Sequence, residues 1–166
     1  MSVENLLQPN QHDIARAEIE AWRGECLDLF AKGDALIGTL LALALDKGHD
    51  IHLPQLSGQR TMEAIRLVAL VGGTDAEVED AGKALDDWQA IESRGELLAH
   101  GTITEVLDRE GNWHALIDTV TYRAGKLNRG RWAVGQLETD EFRQQIVASF
   151  GRLKAELGRV RLRLGS

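Results

Sequence analysis

Residues 92–103 read ESRGELLAHGTI. Up to His100 the residues read as the last turns of a helix, and Leu98 continues an apolar stripe that begins upstream at Val78. Gly101 follows as a helix stop of the kind that takes a left-handed conformation. Thr102 and Ile103 then open a run rich in β-branched residues. The period of the chain changes here from about 3.6 to 2, so this stretch separates a helical N-terminal part from an extended segment.

Working back from that point, residues 75–100 form one predicted helix with Val78, Ala81, Leu85, Trp88, Ile91 and Leu98 on its buried stripe. Thr74 is its N-cap, with Glu77 three residues on, the spacing of a capping box. A preceding helix is expected over residues 58–71, turning Met62, Ile65, Leu67, Val68 and Leu70 inward and ended by Gly72-Gly73. Residues 49–57 contain Pro54 and read as a loop. Residues 11–47 are helical in pattern, with Ile14, Ala17, Ala21, Cys26, Leu29, Phe30, Leu36, Ile37, Leu40, Leu41 and Leu45 at three-to-four spacing. Gly33 and Gly38 each cost such a helix about 1 kcal/mol relative to Ala. The pattern fits one long helix with a loose middle or two helices meeting at Lys32-Gly33, and Gly48 is its stop.

Working forward, residues 102–123 read as two strands around a bend at Gly111-Asn112. Residues 123–136 add another edge strand or remain a loop. Thr139 is the expected cap of a last helix over residues 139–164, whose seam is Phe142, Ile146, Phe150, Leu153, Leu157, Val160 and Leu164. The expected fold is therefore mainly α. It is a single domain over residues 1–166, a bundle of about four helices with a β-hairpin inserted before the last.

A chain of 166 residues is long enough to bury a core without metals or disulfides. One cysteine, Cys26, gives no disulfide framework and suits a reducing cytoplasm. The first residues, MSVENLLQPNQHD, lack the basic and apolar regions of a signal peptide, and the apolar run at 35–45 is too short to span a bilayer. The expected location is cytoplasmic, with no membrane partner. A net charge of −7 argues against general nucleic-acid binding. The charge is uneven, however. From Arg123 onward ten Lys/Arg stand against four Asp/Glu, so +6, while the preceding 122 residues hold nine against twenty-two, so −13. The basic C-terminal part is a solvated helix face or meets an acidic partner, a phosphate-bearing ligand or a second copy of the chain.

The opening stretch also carries chemistry. Arg94 offers a permanent charge and a fork of donors suited to phosphate. An imidazole such as that of His100 can give or take a proton near neutral pH, and Glu96, four residues earlier, shares its helix face. Together these groups suit metal-free phosphodiester cleavage, one moving protons while another holds the developing charge. A His before a terminal Gly is also a common way simply to end a helix.

The string Arg-Gly-Glu-Leu-Leu-Ala-His-Gly, residues 94–101, resembles the signature of the HEPN superfamily, an Arg followed after four to six residues by a His. The resemblance implies a helical bundle of four or five helices with the motif near the end of the third. It implies a two-fold homodimer whose motif residues line one cleft, acting in active members as a metal-independent ribonuclease and in others as a binding module. On this resemblance Arg94 matches the Arg, His100 the His, and Glu96 the polar residue between them, with no cofactor. The implied partners are a second copy, RNA, and a partner protein such as an antitoxin. Gly95 stands where Asn or Asp is common, and alignment on a four-residue gap would put Gly95 in place of the Arg.

Other candidates are weaker. His49, His52, Asp46 and Asp50 have no helical spacing for a metal and read as a solvated loop. Glu18, Glu20, Glu25, Asp28 and Asp34 spread around the first helix, and no Glu-x-x-His pair is available for a di-metal bundle. His114 reads as an edge residue. Residues 129–132, Arg-Gly-Arg-Trp, combine charge with an aromatic that can touch RNA or form an ordinary loop. Arg152, Arg159 and Arg163 share one side of the last helix. The RNA-binding candidates are therefore Arg129, Arg131, Arg152 and Arg159. No phosphate loop, GxSxG or dinucleotide fingerprint is present.

Overall fold

The structure is a computed structural model that describes residues 10–123 and 125–165, without the Arg123 side chain. Its elements run α1 (Gln11–Asp46), α2 (Ser57–Val71), α3 (Asp75–His100), β1 (Thr102–Leu107), β2 (Trp113–Arg123), β3 (Lys126–Gly135) and α4 (Gln136–Gly165). Among the described residues, four helices and one small antiparallel sheet make a mainly helical structure. The sheet has three strands in the order β1-β2-β3, not the two of a hairpin. The extra strand comes from residues 123–136, where Gly, Asn and Arg dilute the alternation that marks a strand. Backbone pairing to β2 over ten register positions, His114↔Gly135 through Arg123↔Lys126, makes it one nonetheless.

The chain falls into two compact units. The sheet unit is the chain up to Leu27 with Glu96–Arg143, and the helical unit is Asp28–Gly95 with the chain from Gln144 on. Helices α1, α3 and α4 each give a length to both.

In the helical unit Trp88 is fully buried. Its ring lies 5.6 Å from Phe30 and 6.2 Å from Phe150, both tilted, the arrangement aromatic quadrupoles favour. Gly33 resolves the ambiguity of the first helix. A Cβ there would stand 2.0 Å from Trp88 Cζ2, so Gly33 is an indole seat in an unbroken helix, not a joint. Ile37, Leu41, Leu67, Leu85, Leu153 and Leu157 fill the rest of this core. On α2, Leu67 and Val68 are buried as expected, but Met62 is 61% and Leu70 54% exposed. A helix of 15 residues buries one stripe, and here Thr61, Ala64, Leu67 and Val68 occupy it. Thr61 is tolerated inside because its hydroxyl reaches the Ser57 carbonyl and the Glu92 carboxylate.

The helix ends follow local chemistry. Thr74 and Glu77 close the expected capping box, Thr74 N–H donating to Glu77 Oε2 at 2.9 Å and Glu77 N–H to Thr74 Oγ1 at 3.3 Å. Gly48, at φ 82°, ends α1 with His49 N–H donating to the Ala44 carbonyl and Gly48 N–H to that of Leu45, a Schellman motif. The last helix starts three residues before Thr139. Glu138 Oε2 accepts from Gly135 N–H at 2.7 Å and makes the cap, while Thr139 sits inside the first turn and donates to the Gln136 carbonyl. The seam of α4 is buried from Phe142 to Leu164, with Phe150 half-buried.

In the sheet unit the first half of α1 buries Ala15, Ile19, Trp22 and Cys26, not Ile14, Ala17 and Ala21. Both sets have helical spacing, and the packing of Trp22 against Trp132 of β3 and Phe142 selects the second. Trp22 Nε1 donates to the Thr139 carbonyl at 3.2 Å, and Trp22, Trp132 and Phe142 form a ring cluster with centroids 4.9–6.3 Å apart. Trp113, Ala115, Ile117 and Thr119 are the buried alternate residues of β2. Trp113 Nε1 donates to Glu18 Oε2 at 2.6 Å. Burial pushes the Cys26 thiol up to about 12, so its place is in packing and not in thiolate chemistry.

Candidate functional site

The last turns of α3 alternate between core and solvent. Gly95 and Leu98 are buried, while Arg94, Glu96 and His100 are exposed. The helix continues unbroken through the motif, so helical geometry places Arg94 and His100 about 120° apart around the axis and about 9 Å apart along it. Glu96 and His100, one turn apart, share a face.

Gly95 has a packing reason. A Cβ at this position would lie 2.9 Å from the Phe30 ring, closer than real contacts allow. An Asn or Asp here would point at Phe30 in the core, not out beside Arg94. Gly101 is also a matter of space. It takes no positive φ, correcting the expected left-handed closure, and a Cβ would meet Ile117 Cγ2 and the Leu97 carbonyl at 2.4 Å.

The end of α3 is held by a residue the sequence does not advertise. Arg23, on α1, donates from Nε to the Leu98 carbonyl at 2.7 Å and from Nη2 to the Ala99 carbonyl at 3.3 Å. These are two of the orphan carbonyls of a helix C-terminus, and a cation is favoured there by the macrodipole. His100 is therefore not needed as the C-terminal cation. A hollow of about 320 Å³ lies alongside, lined by Arg16, Ile19, Glu20, Arg23, Gly101, Thr102, Ile103 and Glu105. Arg16 and Glu105 pair across it at 2.5 Å, and that hydrogen bond holds the Glu105 carboxyl below its usual range.

The basic candidates fall into two places. Arg129 and Arg131, in the sheet unit, line a concavity of about 480 Å³ with Asp118, Thr119, Val120 and Gly130. Arg131 donates to Asp118 from Nε at 2.6 Å and Nη2 at 3.1 Å, a bidentate pair that keeps the Asp118 carboxyl below its usual range. Arg152 and Arg159, in the helical unit, border a hollow of about 420 Å³ with Asp80, Lys83 and Glu156. Arg152 pairs with Asp87 at 2.5 Å and Arg159 with Glu156 at 2.7 Å. Arg163, on the same side of α4 by spacing, is drawn to Glu77 at 3.0 Å.

The loop histidines stay apart from any metal-like cluster. His52 gives its backbone N–H to Glu63 Oε1 at 2.7 Å. His114 Nε2 lies 3.3 Å from Asp108 Oδ2, in a turn where Asp108 also accepts from the backbone N–H groups of Glu110 and Asn112. Among the described residues no three His, Cys, Asp or Glu side chains are grouped to hold a metal, and no helix is long and apolar enough to cross a membrane.

Beyond Arg23, sequence reasoning missed Glu92. Its carboxylate accepts from the Ser57 and Thr61 hydroxyls in the first turn of α2, where Leu56 provides no side-chain cap. Neither residue has a local signal, because each acts on an element remote in sequence. The chain matches no protein-family model, no curated protein and no solved structure.

Proposed function

We propose that this chain is a HEPN-like protein that works as a cytoplasmic homodimer and cleaves RNA without a metal. The observation that carries the reading is the exposure of Arg94, Glu96 and His100 together on the final turns of α3, while Gly95 and Leu98 between them are buried. The separation of Arg94 and His100 around one helix leaves a second copy as the means of bringing an Arg close to a His. In the two-copy cleft His100 takes the proton of the RNA 2′-hydroxyl or delivers one to the leaving oxygen. Arg94 neutralises the scissile phosphate as charge builds on it. Glu96 orients His100 from one turn away. Arg129, Arg131, Arg152 and Arg159 guide the RNA over an otherwise acidic protein.

The test is RNA cleavage by His100→Ala beside sedimentation of the same protein. Loss of cleavage with an intact dimer is the expected result. Unchanged cleavage, or a wild-type monomer at working concentration, overturns the reading.

The burial of Gly95 favours a second reading on the same fold. A position that is commonly Asn or Asp in the resembled motif here carries no polar group. A non-catalytic module that binds a ligand or a partner protein, such as an antitoxin, needs no such group. It predicts a dimer that leaves RNA intact.

A further inference from the structure

The two faces of the sheet differ. Strand β2 alternates, with Trp113, Ala115, Ile117 and Thr119 buried and His114, Leu116, Asp118, Val120 and Tyr122 on the opposite, outer face. The antiparallel register sets Leu127 beside Tyr122, Arg129 beside Val120 and Arg131 beside Asp118 on that outer face. Tyr122 is 76%, Val120 63% and Leu127 45% exposed. An aromatic ring and two aliphatic side chains at neighbouring register positions form an apolar platform that a sheet normally covers or blunts.

Charge selects the occupant. On this face β3 contributes Arg129 and Arg131, in a chain whose net charge is −7. The acid on the same face, Asp118, is neutralised by its bidentate pair with Arg131. Arg129 and Arg131 are about 7 Å apart along β3, at the alternate-residue repeat of a strand, and both border the 480 Å³ concavity next to Val120. A rigid phenol ring with Arg129 at the neighbouring same-face pair meets the two needs of an unpaired nucleic-acid strand, a stacking surface for a base and charge for the backbone.

We propose that the outer face of the β2–β3 ribbon binds single-stranded RNA, with a base stacked on Tyr122 and a backbone phosphate held by Arg129. The choice of RNA over DNA rests on the ribonuclease reading; the platform itself rests on the sheet geometry. Binding here is tolerant of sequence, because every base has a π-face.

The experiment is fluorescence anisotropy with a short labelled oligouridylate, in the full-length His100→Ala background so that cleavage does not consume the probe. The oligodeoxythymidylate and a duplex RNA serve as competitors. Tyr122→Ala should weaken binding roughly tenfold and Tyr122→Phe should retain it, as expected for one stacked base. Arg129→Ala should lower the slope of log affinity against log salt by about one. Circular dichroism checks that the exposed substitutions leave the fold intact. Absence of binding, equal affinity of Tyr122→Ala and its parent, an unchanged salt slope, or preference for duplex overturns the proposal, as does a protein partner on this face with no RNA bound. Tyr122-dependent binding of RNA that the wild-type protein leaves intact keeps the platform and removes the nuclease reading. Cleavage that ignores Tyr122 does the reverse.

Discussion

The helical unit and the sheet unit use tryptophan in opposite ways. Trp88 is enclosed, seated on Gly33 between Phe30 and Phe150, and among the described residues its Nε1 has no hydrogen-bond partner. Trp22 and Trp113 are buried too, but each spends its indole N–H on a residue far away in sequence, the Thr139 carbonyl and the Glu18 carboxylate. The first arrangement is bulk packing, in which shape alone holds the ring. The second is a polar tie between elements, where losing the partner leaves a buried donor unsatisfied. The helical unit should therefore respond most to volume and the sheet unit to individual hydrogen bonds.

The largest effect is expected from Trp88→Ala, which should cost about 3–5 kcal/mol by cavity formation. Urea unfolding measures it, and a loss under 1 kcal/mol would mean that the ring is not the centre of that core. Next come two glycines of α1 that propensity treats alike. Gly33→Ala should destabilise by about 1–3 kcal/mol because the methyl overlaps Trp88. Gly24→Ala, with nothing within 4 Å of the new Cβ, should stabilise by up to about 1 kcal/mol. Shifts of the same sign in the two unfolding midpoints would break the contrast between packed and open positions of one helix.

A smaller and more local effect is expected from Arg23→Ala. Removing two charge-assisted hydrogen bonds should cost about 1.5 kcal/mol and speed amide exchange at Leu98–Gly101 more than elsewhere in α3. Uniform acceleration along the helix would mean that Arg23 does not cap it. The smallest effect concerns pH. Hydrogen bonds from the Thr74 N–H and hydroxyl, with Arg163 nearby, hold the Glu77 carboxyl below its usual range. A depressed folded value means the contribution is present above the unfolded value of about 4.3 and is lost as pH falls through the folded one. Glu77→Gln should flatten the acid limb of the stability profile; an unaltered limb would show that the capping box holds without the charge.

The helices were legible to different depths. The third was readable from Thr74 to His100 because its cap and its stripe are local, although Arg23, which closes it, is not. The buried face of α1 near Trp22 was not, since Ile14-Ala17-Ala21 and Ala15-Ile19-Trp22 have equivalent spacing and only the sheet chooses between them. The strand β3 was ambiguous because Lys126, Asn128, Arg129 and Gly130 have little intrinsic preference for extension, and pairing to β2 supplies the backbone hydrogen bonds that decide it. At the candidate site, Arg94, Glu96 and His100 were readable by type and spacing. The reason for Gly95 was not, because Phe30 lies 65 positions away in sequence.

The sequence by itself determined the capping box at Thr74, the seam of α4 and the residue types and spacing at the end of α3. These follow from interactions spanning a few residues, which composition and period record directly. The tertiary structure alone decided that Gly33 and Gly95 are contact surfaces, that Arg23 closes α3, and that Tyr122 and Arg129 share an outer sheet face. Each depends on residues brought together by folding, and a linear pattern holds no record of which distant side chain fills the space beside a glycine or a bare carbonyl.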